Sequence, residues 1–290
     1  AFQFKSEGID PERCASELGV QALVTGRVLR RNEQLSVSVE LMDVRTKTHV
    51  WGEKYGRAFS DIFAVEDDIA SQIAERVRPH LVAEVKRRLA KQPGRSAKAY
   101  ELCLRSRQYL GLFTQKSLQR AIEFLEQALV LDPDYAFAYG ELAICHYALS
   151  NLGHVPPKEG WPRVKAAATR ALGLDATLAK AHTALGQVSQ DYDWDWEAAG
   201  SAHRRAIELM PGDSFLHMCY SWFLSIARRH EESIAEMRLA LELDPLSIMP
   251  AICLGEVLMQ ARQCDAALEQ CRRVIALDST IWAPHTFMGM

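Results

Sequence analysis

Apolar residues recur at three- and four-residue spacing through most of the chain, a pattern that is typical of amphipathic helices. The segment 214–245 shows it most clearly, with two apolar stripes on either side of the polar run 228–230: Tyr220, Phe223, Leu224 and Ala227, then Ile234, Met237, Leu241 and Leu243. Two short helices joined by a polar turn bury these stripes against each other and against neighbours. The segment therefore predicts a helical hairpin.

A closing phrase repeats at the end of successive segments. It is Leu-Asp-Pro or a close variant at 128–133, 206–211, 240–245 and 274–279, with a degenerate copy that ends at Ala176. The endings are separated by 43, 35, 34 and 34 residues. Proline ends a helix because it has no N–H to donate and restrains the residue before it. A period near 34 predicts stacked helical hairpins.

A small residue stands seven positions before the alanine or valine that opens the phrase, at Ala121, Ala199, Ser233 and Ala267. Small side chains at this position allow two antiparallel helices to approach closely. The first halves of the units carry Leu142-Ala143, Leu185-Gly186 and Leu254-Gly255. With these features the segment 97–290 resembles the tetratricopeptide repeat.

The resemblance implies a mainly α fold, a right-handed tetratricopeptide superhelix of about five hairpins. A sixth hairpin is expected to begin at Trp282 and to stop within its first helix. The chain departs from the repeat in a longer opening between Leu110 and Leu118 and in an insertion of about nine residues around 150–157. Insertions of this kind map to loops on one edge of the stack.

The period changes to two before residue 95. Residues 22–30 and 34–44 alternate between apolar and polar side chains, which predicts a β-hairpin, and 48–54 predicts a third strand. Asp10-Pro11 is expected to open a short helix. A long helix that begins at Ser60-Asp61 and carries an apolar stripe from Ile62 to Val85 is the expected cover for the sheet.

Four segments resemble the TolB N-terminal-like (FlgO-like) α+β domain: residues 17–26, residues 37–43, the string Trp51-Gly52-Glu53-Lys54-Tyr55 and residues 61–66. The resemblance covers residues 1–92, and it implies a small subdomain that is truncated at its start. In that family the domain precedes tetratricopeptide repeats in bacterial signalling proteins. Their upstream modules resemble class III adenylate cyclases, serine/threonine kinases or winged-helix regulators.

Charge and composition limit the classes of partner that the chain is expected to bind. The net charge is −3, with +2 on residues 1–95 and −5 on residues 96–290, so nothing demands a nucleic acid. The basic run 86–98 is predicted to be a solvated linker, with a nucleic-acid or anionic-membrane contact as the alternative. No run of 18 apolar residues occurs, so no membrane contact is expected.

Seven cysteines without a C-x-x-C pair favour reduced thiols and a cytoplasmic protein. The alternative is the periplasmic part of a membrane-anchored regulator.

No catalytic residue, metal site or cofactor is predicted. The run from Asp191 to Trp196 imitates the start of a calcium loop, but Trp196 and Ala202 replace the required glycine and glutamate. A turn whose aspartates cap the next helix explains it better. No zinc-protease, phosphate-loop, nucleophile-elbow or kinase motif occurs, so the segment is not expected to be an enzyme.

The tetratricopeptide resemblance implies that the first helix of each hairpin lines a concave groove. Its second, fifth, ninth and twelfth positions give the partner-binding candidates: Tyr100, Arg107, Phe137, Ile144, Lys180, Gln187, Phe215, Met218, Trp222, Met249, Ile252 and Glu256. This lining is apolar at both ends and polar in the middle. It predicts a protein or peptide ligand, such as an apolar helix or an extended segment, or another domain of the parent protein. Burial between neighbouring repeats is the alternative for each residue.

The predicted function is a non-catalytic interaction module, the sensory or regulatory part of a bacterial signalling protein. The alternative is an intramolecular or dimerising regulator of an upstream adenylate cyclase, kinase or DNA-binding domain, which includes a homodimer.

Overall fold

The computed structural model describes residues 22–31, 34–43, 48–58, 96–110, 114–245 and 247–277. Contacts divide the chain into two compact units, residues 1–101 and 102–290. The predicted helices at Asp10 and Ser60 and the sixth hairpin from Trp282 lie outside the described residues. The predicted domain limits, 1–92 and 97–290, remain a prediction.

Three antiparallel strands make up most of what is described of the first unit: β1 (Ala22–Arg31), β2 (Gln34–Asp43) and β3 (Thr48–Ala58). β2 is the central strand, and Val37 lies opposite Val28 on one side and Tyr55 on the other. Alternating residues of β2 and β3 form one buried cluster: Leu35, Val37, Val39, Trp51 and Tyr55. The period-two pattern is confirmed, and β3 extends four residues beyond its predicted end.

Ten α-helices follow in the described part of the chain. They are α1 (Ala97–Leu110), α2 (Gln115–Leu131), α3 (Ala136–Asn151), α4 (Pro157–Leu174), α5 (Ala179–Val188), α6 (Trp196–Leu209), α7 (Ser214–Ile226), α8 (His230–Leu243), α9 (Ile248–Gln260) and α10 (Cys264–Leu277). A single π-helical turn, Ser189–Asp193, extends α5. The odd-numbered helices are the first helices of five hairpins, and the even-numbered ones are the second.

The first helices lie side by side. α3 contacts α5, α5 contacts α7, and α7 contacts α9, in addition to the contacts within each hairpin. Among the described residues, no two neighbouring second helices approach as closely. Because the first helices are the closer set, their side of the stack is its concave face.

The small residues predicted at the helix crossings are buried. Ala121, Ala199 and Ser233 have no exposed surface, and Ala267 has almost none. Ser233 also donates its hydroxyl to the carbonyl oxygen of Ser221 at 2.9 Å, while Ser221 donates to the carbonyl of Ser233 at 2.7 Å. The close approach of α7 and α8 is therefore fastened by reciprocal hydrogen bonds.

Left-handed residues end the first helices of the last three hairpins. Trp194, Arg228 and Arg262 have φ values of 57°, 61° and 60°, and they stand 34 residues apart. After α7 the N–H of Arg229 bonds to the carbonyl of Leu224, and after α9 that of Gln263 bonds to Leu258, both at 2.9 Å. These bonds reach six residues back, counting both ends, as in a Schellman cap, where glycine is the preferred left-handed residue.

Candidate functional site

A row of charged side chains crosses the first helices of the first three hairpins. Glu141 on α3 accepts hydrogen bonds from Arg107 on α1, at 3.2 and 3.3 Å, and from Lys180 on α5, at 2.8 Å. The carboxylate of Glu141 is fully buried, whereas its two partners keep part of their surface in solvent. The guanidinium of Arg107 also lies 4.8 Å from the centre of the Phe137 ring.

This arrangement sets the charge state of Glu141. Burial raises its pKa, but the charges of Lys180 and Arg107 outweigh burial, and the pKa ends below its usual value. Glu141 is therefore ionised at neutral pH, and only its Oε1 atom has partners, since Oε2 makes no hydrogen bond among the described residues. Arg107 and Lys180 thus neutralise a buried carboxylate of their own chain.

A cleft of about 220 Å³ opens further along the same face. Four successive first helices line it, with the π-helical turn at its edge: Tyr147, Asn151, Gln187, Gln190, Asp191, Trp222, Ile226, Glu256 and Gln260. Two of these residues are carboxylates, and none is a lysine, arginine or histidine. The cleft is thus an acidic site that no single hairpin could form.

The aspartates of the run 191–195 have separate tasks. Asp195 caps α6 by accepting from the N–H of Ala198 at 3.0 Å, as the sequence predicted. Asp193 forms an ion pair with Lys165 of α4 at 2.7 Å. Asp191 faces the cleft, where its Oδ1 accepts from Nε2 of Gln190 at 2.8 Å.

Burial raises the pKa of both cleft carboxyls, Asp191 and Glu256. Neither forms an ion pair within the described part of the chain. Burial also raises the pKa of Tyr147, Cys219 and Cys253 around them, so these groups stay neutral over the range in which carboxyls titrate. Asp191 and Glu256 therefore decide the charge of the cleft.

A second hollow of about 380 Å³ lies where α7 and α9 begin. Phe215, Met218 and Met249 supply its apolar wall, and Asp213, Ser214, Asp244 and Ser247 are among its polar residues. Met218 is buried in the core cluster that α7, α8 and α9 share. The hollow therefore combines an apolar wall, continuous with the core, and polar residues that include two aspartates.

No protein-family model matches the chain. A putative adenylate cyclase 3 of Rhizobium meliloti is 32% identical over 144 residues, which cover 50% of this chain and 24% of that protein. The transcriptional regulator HilA of Salmonella typhimurium is 26% identical over 142 residues, which cover 49% of this chain and 26% of that regulator. The chain therefore spans about a quarter of the length of the relatives it matches.

Solved structures superpose on a large part of the chain. TTC0263, a thermophilic tetratricopeptide protein of Thermus thermophilus, superposes with a TM-score of 0.50 at 16% identity, over 66% of this chain and 97% of that one. The Cut9–Hcn1 hetero-tetramer of the APC/C gives a TM-score of 0.51 at 14% identity, over 79% of this chain and 39% of that one. The chain has the tetratricopeptide-repeat fold. The mainly α fold class predicted from the sequence is confirmed.

The tetratricopeptide fold distributes the twelve predicted groove residues among several places. Arg107, Phe137 and Lys180 belong to the charged row around Glu141, and Gln187, Trp222 and Glu256 line the acidic cleft. Phe215, Met218 and Met249 line the second hollow. The remaining three, Tyr100, Ile144 and Ile252, lie on α1, α3 and α9 outside these groups.

Three of the predicted residues have almost no exposed surface. Ile144, Gln187 and Met218 are 3%, 2% and 4% exposed. Burial was the alternative that the sequence left open for each groove position. The ligand contacts of all twelve remain predictions.

The tetratricopeptide positions did not single out Glu141, Tyr147 or Asp191 as functional residues. Glu141 takes its two cationic partners from the neighbouring hairpins, Arg107 34 residues earlier and Lys180 39 residues later. Both cations lie on the first helices of the neighbouring hairpins, at predicted groove positions, so a search for opposite charges on adjacent first helices could detect this contact.

No helix in the described part of the chain is both long enough and apolar enough to span a membrane. The six described cysteines are free thiols, and five of them are buried.

Proposed function

We propose that this segment is a non-catalytic module that binds an extended peptide segment of a partner protein along its concave face. The observation that carries the proposal is the acidic cleft, to which α3, α5, α7 and α9 all contribute side chains. In a stack of hairpins, a cleft shared by four first helices runs across the repeats, as a peptide would.

The cleft also has unmet hydrogen-bonding capacity. Nε2 of Gln187 and Oε1 of Gln190 are buried and have no partner among the described atoms. A buried polar group without a partner costs about 1–3 kcal/mol, so a ligand that satisfies both atoms gains that free energy on binding.

The module is proposed to be the regulatory part of a bacterial signalling protein. Its similarity to a putative adenylate cyclase and to a transcriptional regulator supports this role, as does the resemblance of residues 1–92 to the TolB N-terminal-like domain. The spacing of the seven cysteines supports a cytoplasmic location.

A second candidate is regulation within the parent protein, in which the bound segment belongs to another domain of the same chain or to a second copy. The observation that favours it is that the similar cyclase and regulator are about four times longer than the part matched here. A dimer that dissociates when a peptide occupies the groove would favour this candidate over capture of another protein.

The test is selection of a random peptide display library against the purified protein. The selected peptides should lose binding to the Trp222→Ala and Phe137→Ala variants while circular dichroism shows that both variants remain folded. Trp194→Ala is the matched control, because Trp194 is 71% exposed and does not line the cleft. Peptides that bind both groove variants as tightly as the wild type would refute the groove as the binding site.

A further inference from the structure

We infer that the acidic cleft holds an arginine side chain of the bound peptide, with its guanidinium group between Asp191 and Glu256. This inference rests on the proposed function and adds the chemistry of the recognised residue. It differs from the apolar ligand that the sequence predicted, because the residues of the cleft are mainly polar.

The first argument is charge. Asp191 comes from the π-helical turn after α5 and Glu256 from α9, so two separate elements bring a carboxylate to the same cleft. Within the described part of the chain neither has a cationic partner, although on the same stack Asp193 has one and Glu141 has two. Two partly buried carboxylates without a counter-charge are costly, and a cationic ligand removes this cost.

The second argument is independent of charge and comes from the two glutamines. Gln187 and Gln190 are 2% and 4% exposed, line the cleft and leave one atom each unpartnered. Oε1 of Gln190 is an acceptor and suits an N–H of a guanidinium. Nε2 of Gln187 is a donor and suits a backbone carbonyl oxygen of the peptide that carries the arginine.

Aromatic residues favour arginine over lysine. Trp222, half-buried, and Tyr147 are the two aromatic residues of the lining. A guanidinium is planar, carries five N–H donors in fixed directions, stacks on aromatic rings and is more weakly hydrated than an ammonium group. An ammonium group has three donors and loses more hydration on entering such a site.

The volume of the cleft agrees with a single side chain. Pockets for drug-sized ligands usually measure about 300–1,000 Å³, and this one measures about 220 Å³. The rest of the peptide is then expected to lie along the groove outside the cleft.

The direct test is titration of the protein with N-acetyl-arginine amide, followed by the indole N–H signal of Trp222 in an NMR spectrum. A single residue should bind weakly, with a Kd of about 1 mM or above. N-acetyl-citrulline amide, which has nearly the same shape without the charge, should not saturate. Nα-acetyl-lysine amide, which keeps its ε-ammonium group, should bind more weakly than the arginine compound.

Isosteric variants test the two carboxylates. Asp191→Asn and Glu256→Gln should each weaken the arginine compound at least about tenfold, because each removes a charge from a desolvated pair. Glu126→Gln is the matched control, since Glu126 is exposed on α2 and does not line the cleft. Circular dichroism verifies the fold, and the citrulline comparison needs no variant at all.

The inference is overturned if the arginine compound gives no saturable shift up to about 50 mM. It is also overturned if citrulline or lysine binds equally well, or if both cleft variants bind as the wild type does.

Peptides from the display library distinguish the two proposals. Groove-binding peptides that keep their affinity when each arginine is replaced by citrulline overturn the arginine inference and leave the proposed function intact. A selection that returns no groove-binding peptide overturns the proposed function, and with it the assignment of the arginine to a peptide.

Discussion

Gly186 of α5 faces the imidazole of His203 of α6 so closely that a Cβ atom on Gly186 would lie 2.9 Å from Nε2 of His203. His203 cannot move aside, because its ring is 1% exposed and lies 6.1 and 5.7 Å from the rings of Tyr220 and Phe223. The absence of a side chain at residue 186 therefore sets how closely the two helices of the third hairpin pack.

Gly186→Ala should lower the free energy of unfolding by about 1–2 kcal/mol, since overpacking outweighs the helix propensity gained. Gly173→Ala is the matched control, because a Cβ there meets nothing within 4 Å and should stabilise α4 by about 0.5 kcal/mol. Urea denaturation of both variants measures the difference. Equal stability of the two variants would show that the contact with His203 is not restrictive.

Arg228→Gly should raise the free energy of unfolding by about 0.5–1 kcal/mol. Arg228 is exposed and has a φ of 61°, which glycine adopts without steric cost. Arg272→Gly, at an exposed position inside α10, should instead cost about 1 kcal/mol. Thermal denaturation compares the two. A loss of stability in both variants would mean that the left-handed conformation costs arginine little here.

Lys180→Met should destabilise the stack by about 2–3 kcal/mol, because it leaves the buried charge of Glu141 with Arg107 alone. Arg107→Met should cost less, about 1 kcal/mol, since Arg107 is more exposed and its bonds are longer. Urea denaturation at pH 7 measures both. A larger loss for Arg107→Met would show that its contact with Phe137 matters more than the charge.

The burial of His203 predicts that the free energy of unfolding decreases in mild acid. Burial lowers the pKa of its imidazole from 6.5 to about 4, and both ring nitrogens lack partners among the described atoms. Between pH 6.5 and 4 the unfolded chain binds a proton that the folded chain does not, so unfolding becomes easier as the pH falls, by up to about 3 kcal/mol. His203→Leu should flatten this part of the profile of unfolding free energy against pH.

His146 contributes in the same sense, because burial and then the charge of Arg163 lower its pKa to about 4. In His203→Leu the acid slope of unfolding free energy against pH should therefore become smaller without disappearing. His217 acts in the opposite sense. Its bond to Glu236 raises its pKa, so its contribution is complete below pH 6.5 and is lost as the pH rises above that value. An unchanged acid slope in His203→Leu would contradict the prediction.

Binding of the arginine compound should weaken as the pH falls. Burial raises the pKa of Asp191 and Glu256 above the ordinary carboxyl values of about 3.9 and 4.3. Protonation removes the charges that attract the guanidinium, so the affinity should begin to fall at a higher pH than for exposed carboxylates. The NMR titration repeated between pH 7.5 and pH 5 measures this, with Asp191→Asn expected to show a smaller change. Affinity that does not depend on pH would contradict it.

The regular part of the fold was predictable because it repeats. The closing phrases placed the hairpins, and the small residues such as Ala121 and Ser233 marked the helix crossings, since both patterns depend on local sequence. Asp195 as the cap of α6 followed from the same kind of local rule. Period-two alternation likewise placed the three strands.

The acidic cleft was only partly predictable. Gln187, Trp222 and Glu256 followed from their repeat positions, but Asp191 did not, because the π-helical turn shifts it relative to the regular spacing. The polar run 189–195 has no apolar periodicity from which such a turn could be inferred. The ion pairs of Glu141 likewise depend on residues of the two neighbouring hairpins, which a rule based on local sequence does not reach.

Because four hairpins share the cleft, the cleft is complete only when all four are folded and stacked on one another. Each hairpin contacts mainly its neighbours in sequence, so local opening of one hairpin can leave distant ones folded. Opening of any one of hairpins two to five nevertheless removes part of the cleft wall. A ligand in the cleft would then bind only the state in which all four are closed, so that it converts four loosely coupled units into one cooperative unit. Hydrogen exchange in α3 and in α9 should slow together when the cleft is occupied.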